Sequence, residues 1–260
     1  MTDELRPATS TIVSPRAALR WSWTRFRETP AALAGAAALW LLVLAWVVVA
    51  LLWAEDLLTG HLYHRALEAA AGGGDITSGN DYMAAMSTYL WFVDTAPYIE
   101  QLIFVIPSAL LTSCAVHGLL VIADGRRPHL ADFFRAVSFW PILLFSLAGT
   151  GLSIADELVV SKLLGLTWPY VAIEIIVALL AAWMPYAIAD RRGAPVLAAV
   201  GDGLLLAVRH PGQTIVAGLL GIGLILAGLF LLGVGLLVAL PLSGLVAIYY
   251  FRTLRGRPPT

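Results

Sequence analysis

Six apolar runs, each near the length of a membrane-crossing helix, constrain the fold of this 260-residue chain more than any other feature. An α-helix needs about 20 apolar residues to cross the roughly 30 Å hydrocarbon core of a bilayer. Only 13% of the residues are charged, whereas a soluble domain carries about 25%. We therefore predict an all-α integral membrane protein with six transmembrane helices in a single membrane domain, 1–260. The predicted helices cover 31–54, 99–123, 139–155, 169–189, 213–232 and 234–251.

Basic residues are confined almost entirely to one side of these six helices. Fourteen of the sixteen Lys and Arg residues fall on that side, and the two exceptions are Arg65 and Lys162. Because cytoplasmic loops carry an excess of Lys and Arg, both termini are predicted to be cytoplasmic. Arginine dominates over lysine in an Ala- and Gly-rich background, which favours a bacterial source. The predicted location is therefore the bacterial plasma membrane.

The segment "RRPHLADFFRAVSFWP" (126–141) lies between the second and third apolar runs. Its apolar residues follow the helical spacing i, i+3, i+4, i+7, at Leu130, Phe133, Phe134 and Val137. Polar residues occupy the opposite face, at Asp132, Arg135 and Ser138. This pattern predicts an amphipathic helix of about 11 residues within 126–140, too short to span a membrane and suited to its interface.

A similar layout occurs in the first 30 residues, 1–30, and again at 191–211. Each of the three copies precedes two apolar runs, which predicts three units that combine an interfacial helix with a transmembrane hairpin. The alternative is that any protein with an even number of spans and basic inner loops shows this arrangement. Anionic lipid headgroups are the expected partners of the interfacial arginines. These are Arg16, Arg20, Arg27, Arg126, Arg127, Arg135, Arg191 and Arg192.

The sizeable segment outside the apolar runs, 55–98, is predicted to form a helical hairpin packed over the outer mouth of the bundle. His61, His64 and Glu68 are spaced so that one helix face presents two imidazoles and a carboxylate. Three such ligands and a water suit zinc, although the segment lacks the full HExxH pattern. An ordinary acidic, solvated helix face explains the same residues, so we predict neither a metal nor a cofactor.

Polar residues inside the apolar runs are candidates for function, because ionisable groups are costly in hydrocarbon. Glu174 lies near the outer end of the fourth run, and His117 lies near the inner end of the second. The third run carries a polar stripe at Ser146, Thr150 and Ser153. These residues suit a pathway for a proton, an ion or a polar ligand. Alternatively, Glu174 pairs with Lys162 or reaches the interface, and the hydroxyls bond to neighbouring backbone.

The stretch "LLGVGLLVALPLSGLVAIYYFRTLRG" combines a Gly-x-Gly turn, a proline within an apolar run, and an aromatic and basic end. These features are carried by Gly233, Gly235, Pro241, Tyr249, Tyr250, Phe251 and Arg252. With "ALRWSWTRFRETPAALAGAAAL" near the start, it resembles uncharacterised bacterial multi-pass membrane proteins related to the glycerophosphodiester phosphodiesterase membrane domain. The resemblance implies a membrane architecture. It implies no activity, because the catalytic domain of those enzymes is a separate soluble domain.

The sequence contains no Walker A motif, dinucleotide fingerprint or GxSxG elbow. We therefore predict a non-enzymatic accessory, scaffold or assembly subunit of a larger membrane complex, with other membrane protein subunits as partners and no nucleic acid. The alternative is a transporter or a lipid- or small-molecule-binding protein that uses Glu174 and the polar stripe. A third hypothesis is a membrane-embedded enzyme that uses the His61, His64 and Glu68 face.

Overall fold

The computed structural model describes residues 12–70, 79–191, 193, 195–231 and 233–259. Over these residues the chain forms α-helices, one 3₁₀ helix (Leu130–Phe134) and one π-helix (Glu157–Leu163), without a β-strand. The α-helices are α1 (Pro15–Glu28), α2 (Pro30–Ala70), α3 (Gly79–Ala123), α4 (Phe139–Asp156), α5 (Thr167–Ala181), α6 (Met184–Asp190), α7 (Val196–Arg209), α8 (Pro211–Phe230) and α9 (Leu236–Leu254).

Six helical segments in the described part of the chain are long and apolar enough to cross a membrane. Each coincides with one of the predicted apolar runs, which confirms the prediction of a multi-pass, all-α chain. The segments are Pro30–Glu68, Met83–Ala123, Phe139–Leu163, Thr167–Asp190, Pro211–Phe230 and Leu236–Leu254.

The first two of these helices are much longer than a membrane requires. α2 has 41 residues and α3 has 45, so each extends about 60 Å or more at roughly 1.5 Å per residue. The segment 55–98, for which a helical hairpin is predicted, continues α2 and α3 without a break wherever it is described. The rings of Tyr63 and Tyr89, 5.6 Å apart, link the two extensions. We call this end of the bundle the hairpin end.

The fourth predicted span is broken near its end. α5 stops at Ala181, and α6 starts at Met184 with Pro185 in its first turn. A proline lacks the N–H that would continue the helical hydrogen bonds, and it disfavours helical geometry at the preceding residue. The break also directs Trp183 into the bundle, where its Nε1 donates a hydrogen bond to Thr214 Oγ1 at 2.8 Å.

The core lies at the opposite end of the bundle, where α1 packs against the last turns of α9. We call this the terminal end. α9 supplies its centre, since Leu245, Val246 and Phe251 are fully buried. The rings of Trp21 and Tyr249, 5.4 Å apart, join α1 to α9. The first and last helices of the described chain therefore meet at the same end.

The amphipathic helix predicted for 126–140 is wrong, because only the 3₁₀ helix Leu130–Phe134 forms there. Phe133 is buried against Gly118 of α3, and its carbonyl accepts a hydrogen bond from Trp40 Nε1 at 3.1 Å. An α-helix would use that carbonyl for the N–H of Val137, which instead donates to the carbonyl of Arg135. Contacts with α2 and α3 therefore replace the continuing helix.

The other two predicted interfacial segments do contain helices. α1 covers Pro15–Glu28, and α7 covers Val196–Arg209 within the predicted 191–211. The tight turn predicted between the last two spans also forms, with a positive φ of 77° at Gly233. Gly228 and Gly235 come so close there that a Cβ on either residue would clash with the other.

Candidate functional site

Alternating carboxylates and guanidinium groups join three helices at the terminal end. Arg252 of α9 contacts Asp124, just after α3, at 2.6 Å and Asp190 of α6 at 3.2 Å. Arg255 contacts the other oxygen of Asp190 at 2.7 Å. The Asp190 side chain is only 10% exposed, so these ion pairs are shielded from water. Two arginines from the end of α9 thus hold the ends of α3 and α6 together.

The same network extends to α7. Asp202 contacts Arg191 at 2.6 Å and Arg255 at 3.5 Å. Arg191, predicted to contact lipid headgroups, therefore has a carboxylate partner, although its side chain remains 43% exposed. We call Asp124, Asp190, Asp202, Arg191, Arg252 and Arg255 the terminal ion network. Its three carboxylates balance its three arginines.

The remaining predicted headgroup arginines lie on the surface. Arg192 lies outside the described residues, and the side chains of the others are exposed. Arg126 also approaches Asp124 at 3.8 Å. Of these predicted headgroup arginines, the ones that have no carboxylate partner among the described residues are Arg16, Arg20, Arg27, Arg127 and Arg135.

Next to the terminal ion network lies a cavity of about 700 Å³ between α6, α7 and the end of α9. We call it the terminal cavity. One part of its wall is apolar and is formed by Ala187, Leu205, Leu206, Phe251 and Leu254. The other part is polar and is formed by Asp202, Arg209, His210 and Arg255. The cavity therefore offers charge and apolar surface to the same ligand.

A second cavity, of about 400 Å³, lies between α2, α3 and α9 within the candidate spans. Small residues make room for it, including Ala37 on α2, Ala115 on α3 and Gly244 on α9. Phe133 of the 3₁₀ helix closes one part of it. Its wall is largely apolar, which suits hydrocarbon rather than a polar solute.

Polar side chains from α3, α4 and α5 meet at the hairpin end. Tyr170 of α5 lies near Ser153 of α4 and near the carboxylates of Asp156, Glu157 and Glu174. The structure thus brings together two of the predicted site residues, Ser153 and Glu174, through a tyrosine that the sequence analysis missed.

A lysine closes the other side of this hairpin-end cluster. Lys162 contacts Asp94 at 2.7 Å and lies 4.9 Å from the ring centre of Tyr98. Tyr98 in turn donates a hydrogen bond to Glu157 at 3.4 Å. Lys162 therefore pairs with Asp94 of α3 rather than with Glu174. The π-helix that carries Glu157 and Lys162 is a rare geometry, and π-turns occur frequently at functional sites.

The other predicted intramembrane residues lie apart from this cluster. Ser146 and Thr150 are half-buried and lie earlier in α4 than Ser153. His117 is buried on α3 toward the terminal end, one turn after Ser113. Ser113 Oγ accepts a hydrogen bond from the backbone N–H of Ser138 at 3.2 Å. None of the predicted intramembrane residues lines the two larger cavities.

The residues considered for zinc lie on the exposed extension of α2. The side chains of His61, His64 and Glu68 are all exposed. Among the residues that the structure describes, no group of three or more His, Cys, Asp or Glu side chains is arranged to hold a metal ion.

The extension of α3 exposes several large apolar side chains. Their exposed fractions reach 65% at Met83, 57% at Leu90, 63% at Trp91 and 45% at Val93. At about 100° per residue, these four side chains fall on one half of the helix circumference. We call Met83, Leu90, Trp91 and Val93 the hairpin apolar surface.

Two sequence signals pointed to the terminal ion network without being used. "DGRRP" follows α3, and "DRRGAP" begins with the last residue of α6, so an aspartate precedes each arginine pair. These two aspartates, Asp124 and Asp190, are the partners of the arginines at the end of α9. No family model matches the chain, and comparisons with curated proteins and with solved structures find no match either.

Proposed function

We propose that the terminal end faces the cytoplasm of a bacterial cell, with the hairpin end on the outer side of the plasma membrane. The support is the charge distribution, since twelve of the fourteen Lys and Arg residues that the structure describes belong to the terminal end. The N-terminal and C-terminal segments, which flank α1 and α9, then both lie in the cytoplasm.

We also propose that the chain consists of three related units, ending with α3, α6 and α9. In support, a glycine with positive φ follows each of these helices: Gly125 at 76°, Gly193 at 84° and Gly256 at 71°. Such a residue ends a helix by turning the chain out of the helical path. The first unit contributes α1 and the third contributes α7, whereas the second has only the short 3₁₀ helix in the corresponding place.

For the protein as a whole we propose a non-enzymatic role as an accessory or assembly subunit of a larger membrane complex. The observation that carries this proposal is the hairpin apolar surface. Counting about 20 residues of hydrocarbon core back from Ala123 places residues before about 103 beyond the lipid. Apolar side chains such as Trp91 are then exposed to water, and contiguous apolar patches outside the membrane mark protein contacts.

The chemistry of the surface indicates the kind of partner. Glu55, Asp56 and Glu68 are acidic residues on the neighbouring α2 extension, and Glu68 and Asp56 are exposed. An apolar centre with an acidic surround fits a partner domain that offers apolar side chains within a basic rim. We therefore place the partner on the hairpin side of the membrane.

The double substitution Leu90→Gln and Val93→Gln is expected to remove this contact. A photoreactive phenylalanine at Trp91 should form one discrete crosslinked species in intact cells, larger than the chain alone. The double substitution should lower its yield at least about tenfold, since buried interface residues at such surfaces contribute about 2 kcal/mol or more. Quantitative immunoblotting measures the yield.

Two controls make this experiment decisive. Thr88→Gln changes an exposed residue of α3 that lies outside the apolar half, and it should leave the yield unchanged. A photoreactive residue at Leu219, exposed on the transmembrane helix α8, should give no matching species. Equal yields from the double variant and the parent, or a product that contains only two copies of this chain, would contradict the proposal.

A second function, passage of protons or cations, is favoured by the hairpin-end cluster. Asp156, Glu157 and Glu174 lie near Tyr170 there, and Lys162 contacts Asp94 beside them. Ionisable side chains within membrane-spanning helices commonly mark ion pathways.

Glu174→Gln is therefore expected to slow proton flux at least about tenfold, as removal of a proton-transferring side chain typically does. The assay uses reconstituted vesicles, a pH-sensitive dye inside them and a potassium diffusion potential. Glu68→Gln, on the exposed α2 extension, is the matched control and should leave the flux unchanged. Transport is ruled out as the function of this cluster when protein-containing and protein-free vesicles leak equally, or when both variants match the parent.

A further inference from the structure

The terminal cavity combines a charged rim with an apolar wall at the level where a transmembrane helix begins. Arg209 ends α7, His210 joins the two helices, and Pro211 begins α8, the fifth candidate span. The rim therefore lies at a membrane boundary. In a bilayer, lipid headgroups occupy this level and the acyl chains begin just below it.

The charges of the rim do not cancel. Arg255 is committed to Asp190 and Asp202, and Asp202 also contacts Arg191. Every carboxylate that lines or adjoins the cavity is thus already paired within the terminal ion network. Arg209 lines the cavity and has no ion pair within the described ranges of the chain. Its guanidinium is the uncompensated charge of the site.

Neighbouring groups add to the preference for an anion. α8 starts beside the rim, with His210 as its N-cap residue and without a side-chain cap. The positive end of a helix dipole favours negative charge at this position. A guanidinium group binds phosphate oxygens through two parallel hydrogen bonds, which fixes both position and orientation.

The apolar wall shows that the ligand is more than a free anion. Leu205, Leu206, Phe251 and Leu254 come from two different helices and face the same space. A small inorganic ion would leave this surface in contact with water. An amphiphile would cover it with the glycerol backbone and the first methylene groups of its acyl chains.

We propose that the terminal cavity is a binding site for an anionic phospholipid. Arg209 binds the phosphodiester, and Arg255, held in place by its two aspartates, lines the same rim. The apolar wall contacts the upper part of the acyl chains. Such a lipid would join α7 to α9 and stabilise the terminal end. This site is independent of the hairpin apolar surface, so either proposal can fail without the other.

The test compares phosphatidylglycerol with phosphatidylcholine of the same acyl chains. The full-length protein is purified in detergent, each lipid is titrated in, and native mass spectrometry counts the lipids retained. One phosphatidylglycerol should be retained at concentrations where phosphatidylcholine is lost. Arg209→Gln should weaken that retention at least about tenfold, as expected for loss of a charge-assisted phosphate contact.

A matched variant distinguishes a specific lipid-binding site from a general attraction of anionic lipids to positive charge. Arg257→Gln removes one exposed arginine at the same end that does not line the cavity, and it should leave retention unchanged. Leu205→Trp fills the cavity without changing its charge and should reduce retention. Equal effects of Arg209→Gln and Arg257→Gln, or equal retention of the two lipids by the parent protein, would overturn the proposal.

A third arm distinguishes a lipid from a free phosphate ester. Glycerol 1-phosphate carries the phosphate without acyl chains, so millimolar concentrations should fail to displace the retained phosphatidylglycerol. Displacement at those concentrations would assign the cavity to a soluble phosphate ester and would overturn the lipid assignment.

Discussion

Replacing Asp190 by asparagine is expected to lower the free energy of unfolding by about 2–3 kcal/mol, since ion pairs shielded from water contribute this much when one partner is removed. Asp190 serves both Arg252 and Arg255, and the three side chains are 10%, 12% and 19% exposed. Without the Asp190 carboxylate, the guanidinium groups of Arg252 and Arg255 each lose an ion-pair partner. Because the site is shielded, water compensates poorly for the lost charge. Unfolding in mixed detergent micelles, followed by tryptophan fluorescence, measures the change.

Asp124→Asn provides the comparison within the same network. Asp124 also contacts Arg252, yet its side chain is 44% exposed, so water compensates for the lost charge. Its substitution is expected to cost at most about 1 kcal/mol, as is usual for exposed ion pairs. If the two variants lose the same stability, burial of Asp190 is not what makes the network strong.

Gly118→Ala is expected to destabilise the protein by about 1–3 kcal/mol, the usual cost of overfilling a packed core. A Cβ at this position would overlap the ring of Phe133, with its nearest carbon at 2.4 Å. Glycine to alanine within a helix otherwise stabilises by about 0.5–1 kcal/mol, so the sign of the change is diagnostic. The same unfolding measurement applies.

Gly149→Ala is the control for this substitution. Gly149 lies within α4, and a Cβ there meets no atom within 4 Å, so alanine should leave stability unchanged or raise it. Combining Gly118→Ala with Phe133→Ala should cost less than the sum of the two single changes, because the smaller side chain removes the overlap. Additive costs would show that Gly118 and Phe133 do not contact each other.

Much of the fold follows from local sequence patterns. The apolar runs predict the spanning helices because lipid offers no hydrogen-bond partners to the backbone. Each apolar segment must therefore form its backbone hydrogen bonds within its own helix. The helix α1 is predicted within 1–30 in the same way, although its buried face consists of Ala18, Ser22 and Phe26, at intervals of four, and Trp23 is exposed. These features depend on residues that are close together in the sequence, so the sequence alone is enough to predict them.

The segment 126–140 shows where local patterns fail. Its spacing is that of a helix, but the carbonyl of Phe133 is taken by Trp40, 93 positions earlier in the chain. The pairing of Trp40 with Phe133 depends on how α2 and α3 pack. Helical periodicity carries no information about it.

The candidate sites divide in the same way. Glu174 and Ser153 are recognisable from their positions in apolar runs, but Tyr170 comes near both of them only through the tertiary packing. In the sequence, nothing distinguishes Arg209 from the other arginines. It becomes distinctive only when the other arginines around the terminal cavity prove to be paired with aspartates.

Six spanning helices, and a charge distribution with most basic residues on one side of them, are predictable from apolar length and from the positions of charges along the chain. The tertiary structure adds that Asp190 joins α6 to α9 and that α2 and α3 are much longer than a membrane requires. It also shows that Arg209 is the arginine of the terminal cavity without a carboxylate partner among the described residues. Ion pairs and cavities arise between residues distant in sequence, so they are settled by packing.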